Sequence, residues 1–239
     1  MARKRLSTGL PGLDPLIEGG FPEGKSYLIT GESGAGKSIF CIQFVLQGLK
    51  DGEKAVYVAV DEKPADVVEE AASLGWDLTK YIEQKTLLIL DASPYFAARM
   101  GTGGKEREID VQKTVSDLGA YVQRMGATRV IIDPVVPLIV SRDFSYRAQE
   151  YLRTLVHALQ DNVGTTNLLT SYPTMGSSGV ESGVEEFLVA GVVVLRMSRI
   201  QNRWVRSLLV RKMRGTAIDL IEHPFSIVKD KGIVLKPVL

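Results

Sequence analysis

The chain has 239 residues, and its 29 Lys and Arg are balanced by 28 Asp and Glu for a formal net charge of +1. That length suits one well-packed α/β domain over residues 1–239 and leaves no room for two comfortable ones. The near-neutral balance excludes whole-molecule attraction to nucleic acid or membrane, one cysteine excludes an internal disulfide, and no apolar run is long enough to span a bilayer. Met1–Arg5 is basic but no apolar stretch follows it, so cytoplasmic residence is expected.

Ser26–Thr30 reads as a buried strand. It runs into Gly31-Glu32-Ser33-Gly34-Ala35-Gly36-Lys37-Ser38, and an apolar helix is predicted over Ser38–Lys50. Glycines let such a loop wrap a polyphosphate with its N–H groups pointing inward, and the following helix adds its positive dipole end. The loop residues Glu32, Ser33, Gly34, Ala35, Gly36, Lys37 and Ser38 are therefore assigned to the phosphates of a nucleotide, which the resemblance described below makes ATP. Lys37 neutralises the β- and γ-phosphates, and Ser38 offers its hydroxyl to Mg²⁺. Cys41, inside the helix, is expected to be a buried apolar residue.

Ala55–Val60 is the next strand, followed by Asp61-Glu62 and a helix over Pro64–Leu74. Ligands of parallel sheets collect at the carboxyl ends of strands, so this acidic pair is a candidate general base; a cap on the helix from Pro64 is the alternative. Leu87–Leu90 is a strand, 97–108 a glycine-rich loop, and Asp110–Met125 a helix. Val130–Ile132 is a strand ending at Asp133, which is placed to hold the Mg²⁺ water shell beside Ser38 or else marks an Asp-Pro turn with Pro134. A helix over 146–161, the strand Asn167–Leu169 and a Gly- and Ser-rich loop over 172–183 complete the alternation, which predicts a mainly parallel sheet with helices on both faces. Beyond Gly191 the pattern changes. Val192–Ile200 and Trp204–Met213 read as paired strands, and Ala217–Ile221, Phe225–Val228 and Ile233–Lys236 as further short ones, forming a C-terminal antiparallel extension. His157 and His223 have no second ligand at metal spacing.

Ser7-Thr8-Gly9-Leu10-Pro11-Gly12-Leu13-Asp14, the loop Gly31–Ser38, Ser73-Leu74-Gly75-Trp76-Asp77, Leu90-Asp91-Ala92-Ser93-Pro94, Gly183-Val184-Glu185-Glu186-Phe187 and Lys212-Met213-Arg214-Gly215-Thr216 occur in this order. Together they resemble the KaiC-like branch of the RecA-type ATPases over nearly the whole chain. The resemblance implies a RecA-type P-loop core and a homo-hexameric ring with ATP between neighbouring subunits. It implies that Lys212 and Arg214, with Met213, reach the phosphates held by the next subunit, and that Ser73 and Thr216 lie near the nucleoside. The chain departs from the family in having Asp61 where a glutamate is usual, Pro134 where a serine is common, and Ile218 in place of a histidine. One domain and no adjacent Ser-Thr pair at Glu186-Phe187 argue against self-phosphorylation.

Arg196, Arg199, Arg203, Arg206, Arg211, Lys212 and Arg214 form a basic run without an acid. Before Arg211 it reads as a solvated hairpin face, while phosphate contact across a subunit boundary is the sharper reading for Lys212 and Arg214. The segments after the third and fourth core strands, 134–147 and 172–183, carry only Arg142 and Arg147, with Tyr172 able to stack on a base; nucleic acid is therefore not the favoured partner. The leading expectation is a slow Mg²⁺-dependent ATPase ring regulating a partner protein. A DNA-binding, recombinase-related accessory ATPase and a phosphotransferase are the alternatives.

Overall fold

The computed structural model describes residues 4–92, 111–135, 153–172, 174–176, 179–181 and 185–237. Its centre is a nine-stranded sheet in the order β13-β12-β11-β10-β3-β7-β6-β4-β5. The parallel part comprises β3 (Ser26–Gly31), β4 (Ala55–Ala59), β5 (Leu87–Asp91), β6 (Arg129–Asp133), β7 (Thr166–Ser171) and β10 (Gly191–Ile200). The antiparallel extension is β10 with β11 (Arg203–Met213), β12 (His223–Val228) and β13 (Gly232–Leu235). The remaining strands are β1 (Arg5–Leu6) with β2 (Phe21–Pro22), and β8 (Thr174–Gly176) with β9 (Gly179–Glu181).

Both sheet faces are buried because alternate strand residues enter different cores. Tyr27, Ile29, Tyr57, Ile131, Leu168 and Val193 face α1 (Lys37–Lys50) and α2 (Pro64–Ser73), whereas Leu28, Val56, Val58, Val130, Ile132 and Leu169 face α4 (Val111–Met125) and the helical segment 153–163. The short α3 (Thr79–Glu83) lies between α2 and β5, and α5 (Glu185–Leu188) precedes β10.

Three buried or half-buried polar side chains act as fasteners. Asp14 accepts hydrogen bonds from the Ser7 hydroxyl at 2.6 Å and from the Thr8 hydroxyl at 2.6 Å, closing the N-terminal segment on itself. Gln43 of α1 donates to Gly9 and Lys231 and accepts from the Ile233 N–H at 2.7 Å, so one buried amide ties both chain ends to the helix behind the phosphate loop. The fully buried Arg129 pairs with Glu53 at 2.8 Å, donates to Ser7 and Phe44 carbonyls, and stacks 4.2 Å from the Phe44 ring centre.

Most predicted elements fall within a residue or two of the observed ones. Ala217–Ile221 does not: it forms no strand, and Leu220 and Ile221 are exposed. Its apolar residues mimic a strand, but β12 pairs with β11 only from His223 onward. The loop expected over 172–183 contains the β8–β9 hairpin. Residues 97–108, residues 146–152 of the predicted helix and residues 136–147 of the segment after β6 lie outside the described residues.

Candidate functional site

From β3 the chain leaves through α1 on one face of the sheet, whereas the helices that lead into β6 and β7 pack on the other face, and β3 has β7 on one side and β10 on the other. The carboxyl end of β3 is thus a switch point, the place where open α/β sheets hold ligands. Gly31 ends β3 and Lys37 starts α1; between them Gly34 and Gly36 adopt φ of 79° and 105°, conformations that turn the loop tightly enough to expose its N–H groups. The antiparallel extension roofs this loop. The Met197 N–H donates to Glu32 Oε2 at 3.0 Å, and Arg206 Nε donates to the Gly34 carbonyl at 3.2 Å.

The resulting cavity holds about 230 Å³ and is lined by Ser33, Gly34, Gly36, Lys37 and Ser38 on the loop side. Asp61, Glu62, Glu70, Asp133, Tyr172 and Arg206 close it. Glu32 and Ala35 belong to the loop without lining the cavity. Lys37 Nζ donates to the Gly31 and Glu32 carbonyls at 2.8 and 3.0 Å and lies 4.4 Å from the Tyr172 ring centre. Burial pushes its pKa down, and Asp133 chiefly pulls it back.

Asp133 stands at the end of β6 with both oxygens engaged: Tyr57 donates to Oδ2 at 2.5 Å and Thr170 donates to Oδ1. Asp133 lines the cavity. Burial, then the Asp133 charge, pushes the Tyr57 phenol up, keeping it a hydrogen-bond donor. Asp61 and Glu62 line the cavity and make no hydrogen bond among the described residues. The start of α2 is instead closed by Asp66, whose carboxylate accepts from the Lys63 N–H at 3.2 Å. The acidic pair is therefore not the cap. Burial, then Asp133, raises the pKa of both carboxyls.

Glu70 and Arg206 were missed in the sequence. Glu70 follows Glu62 and Asp66 at successive spacings of four, a helical signal pointing to one face; burial, then Glu62 and Asp133, raises its pKa to about 6. Arg206 shares a sheet face with Met197, its cross-strand partner, and so faces the loop.

The other assigned residues lie elsewhere in the subunit. Met213 pairs with Gly191, which lies opposite Tyr27 of β3, four residues before Gly31. Met213 is thus about 13 Å back along the sheet from the loop. Next to it, Lys212 Nζ donates to the Glu186 and Val189 carbonyls at 2.7 and 2.9 Å, while Glu186 receives two bonds from Arg211 at 2.8 Å. Arg214 follows, its N–H bonded to Ala190. Thr216 accepts from Arg5 at 3.0 Å, and Ser73 closes α2 by donating to Glu70 at 2.7 Å. None of these lines the cavity of its own chain.

A glycine-turned loop with a buried lysine at the switch point of a parallel sheet, faced by strand-end carboxylates, defines a RecA-type P-loop nucleotide-binding fold. Comparison with known proteins agrees: the model of the KaiC ATPase family matches residues 6–238. The chain is 35% identical to the UPF0273 protein of Pyrococcus furiosus over 98% of its own length and 94% of the relative's. It is 35% identical to the circadian clock oscillator protein KaiC of Synechococcus elongatus, covering 98% of this chain but 44% of that one. A solved KaiC-like protein from Pyrococcus horikoshii superposes with a TM-score of 0.83 at 32% identity, over 99% of this chain and 100% of the other. The chain belongs to the KaiC-like family of RecA-superfamily ATPases.

Proposed function

We propose that the protein binds Mg²⁺-ATP at the Lys37 cavity and hydrolyses it slowly, within a homo-hexameric ring whose nucleotide state regulates a partner protein in the cytoplasm. The observation that carries this reading is the division of the site's charges. Lys37 and four carboxylates meet at one end of the sheet, whereas Lys212 and Arg214 sit at the other, away from their own chain's phosphate loop, which suits contact with a neighbouring subunit's phosphates.

Binding requires Lys37 to turn from two neutral carbonyls to phosphate oxygens, gaining charge-assisted bonds. The residues present fit Mg²⁺. The Ser38 hydroxyl and the Asp133 carboxylate are hard oxygen donors of the kind Mg²⁺ takes alongside phosphate oxygens and water. When bound, the ion would neutralise charge on the phosphates. Tyr57 and Thr170 hold Asp133 in place for that task. Glu62, with the longer reach, or Asp61 accepts a proton from water at the γ-phosphate, helped by a raised pKa.

Native mass measurement with and without ATP and Mg²⁺ tests the reading. It predicts an ATP-loaded ring whose mass is a sixfold multiple of the chain; a monomer under all conditions would overturn the ring.

A further inference from the structure

The basic run of the C-terminal strands is not one patch. Arg196 pairs with Glu222, Arg206 is committed to the phosphate loop, and Arg211 and Lys212 are held at Glu186. With Arg214 just past the end of β11, what remains is the tip of the β10–β11 hairpin, where a two-residue turn at Gln201-Asn202, both at positive φ, joins the strands. Arg199, Arg203 and Trp204 are exposed there, Trp204 at 67%, and the only side-chain partner of either arginine among the described residues is Asn202. Leu195 lies opposite Gly31, so Ile200 projects about 16 Å beyond the phosphate loop on the side where the parallel strands end.

Arg199 pairs across the hairpin with Trp204, and this pair shares its face with Met197 and Arg206 at the cavity; Ile200 and Arg203 occupy the opposite face. An indole with an open face, Arg199 beside it, Arg203 across the tip and no acid between residues 195 and 206 complements a polyanion that also carries flat rings. We propose that this tip is a contact surface for single-stranded nucleic acid, in which Trp204 stacks on a base while Arg199 and Arg203 hold flanking phosphates. The surface is separate from the loop segments considered in the sequence and does not depend on ATP chemistry. Copies brought together by self-association would raise affinity through multivalency.

The chain has two tryptophans, and Trp76 is only 9% exposed, so quenching by a ligand reports mainly on Trp204. The test titrates the intact protein at low salt with single-stranded DNA and RNA of about 15 nucleotides, and with a duplex and polyglutamate as controls. Single strands of either sugar should quench, with little response to the controls. In anisotropy with a labelled strand, Trp204→Ala should weaken binding about tenfold while Trp204→Phe retains most of it. Arg199→Ala with Arg203→Ala should flatten the salt dependence by roughly 1.4 in log–log slope. ATP binding and circular dichroism should remain unchanged in each variant.

Absence of quenching by any single strand, equal response to polyglutamate, preference for duplex, or unchanged binding by Trp204→Ala would each overturn the proposal. So would burial of Trp204 on raising the protein concentration alone, which would make the tip an interface between copies.

Discussion

The ammonium of Lys37 sits 4.4 Å from the centre of the Tyr172 ring while also bonded to two carbonyls of its own loop. The lysine that phosphate needs is thus partly occupied. Tyr172 directly follows β7, the strand whose Thr170 holds Asp133, so the ring must yield if the lysine is to face phosphate squarely. A cation–π contact at such a half-exposed site contributes about 0.5–1 kcal/mol. Tyr172→Ala should therefore tighten ATP binding roughly two- to fivefold in calorimetry; weaker binding would show that the ring instead helps hold nucleotide.

Lys37→Ala should act in the opposite direction and more strongly. Each charge-assisted bond to phosphate contributes about 1.5–3 kcal/mol, so the loss should be tenfold or more. Unchanged calorimetric affinity would remove the phosphate loop as the binding site.

Glu70 gives a prediction with a pH sign. Burial, then the charges of Glu62 and Asp133, raises its carboxyl from the ordinary 4.5 to about 6. The folded state therefore binds more protons than the unfolded one between these values, and stability falls as pH rises through about 4.5 to 6. Glu70→Gln removes that penalty. After discounting for solvent screening of a half-exposed group, the variant should be more stable by about 1 kcal/mol at pH 7.5, with the gain vanishing below about pH 4.5. Urea unfolding without nucleotide at both pH values checks this; a gain that does not change with pH would exclude ionisation as its cause.

Gly48, in the middle of α1, reverses a general rule. Replacing an exposed helical glycine with alanine usually stabilises by about 1 kcal/mol. Here a Cβ would meet Arg129 Nε at 2.3 Å, and that side chain is fixed by Glu53, two carbonyls and Phe44. Gly48→Ala should destabilise by about 1–3 kcal/mol in denaturant unfolding. A stabilised variant would mean that Arg129 moves freely.

Much of this arrangement was legible in the sequence because buried parallel strands read as Val-, Ile- and Leu-rich runs, and chemistry concentrates at their ends. Lys37, Ser38, Asp61, Glu62 and Asp133 could be assigned that way, and the cavity contains all five. Glu70 was hidden by lying in mid-helix, where a glutamate is ordinarily a solvated surface residue. Arg206 was hidden because its role depends on how an antiparallel strand folds over the loop, a long-range contact with no local signature. The same lack of locality explains Ala217–Ile221, whose apolar side chains match a strand but find no partner. It also explains why the seven basic residues between Arg196 and Arg214 looked like one feature when Arg196, Arg206, Arg211 and Lys212 are engaged at three separate places.

In the proposed ring each active site joins one subunit's phosphate loop to its neighbour's Lys212 and Arg214, and mixing two inactive variants distinguishes that arrangement from a site complete within one subunit. Asp61→Asn with Glu62→Gln damages the site in cis, and Arg214→Ala damages it in trans. Each variant alone should have lost at least about 10² in hydrolysis rate. After equal mixing with subunit exchange verified by mass, random assembly leaves about a quarter of the interfaces with both halves intact, so activity should recover towards a quarter of wild type. Activity that stays at the parental level after verified exchange would contradict the shared site.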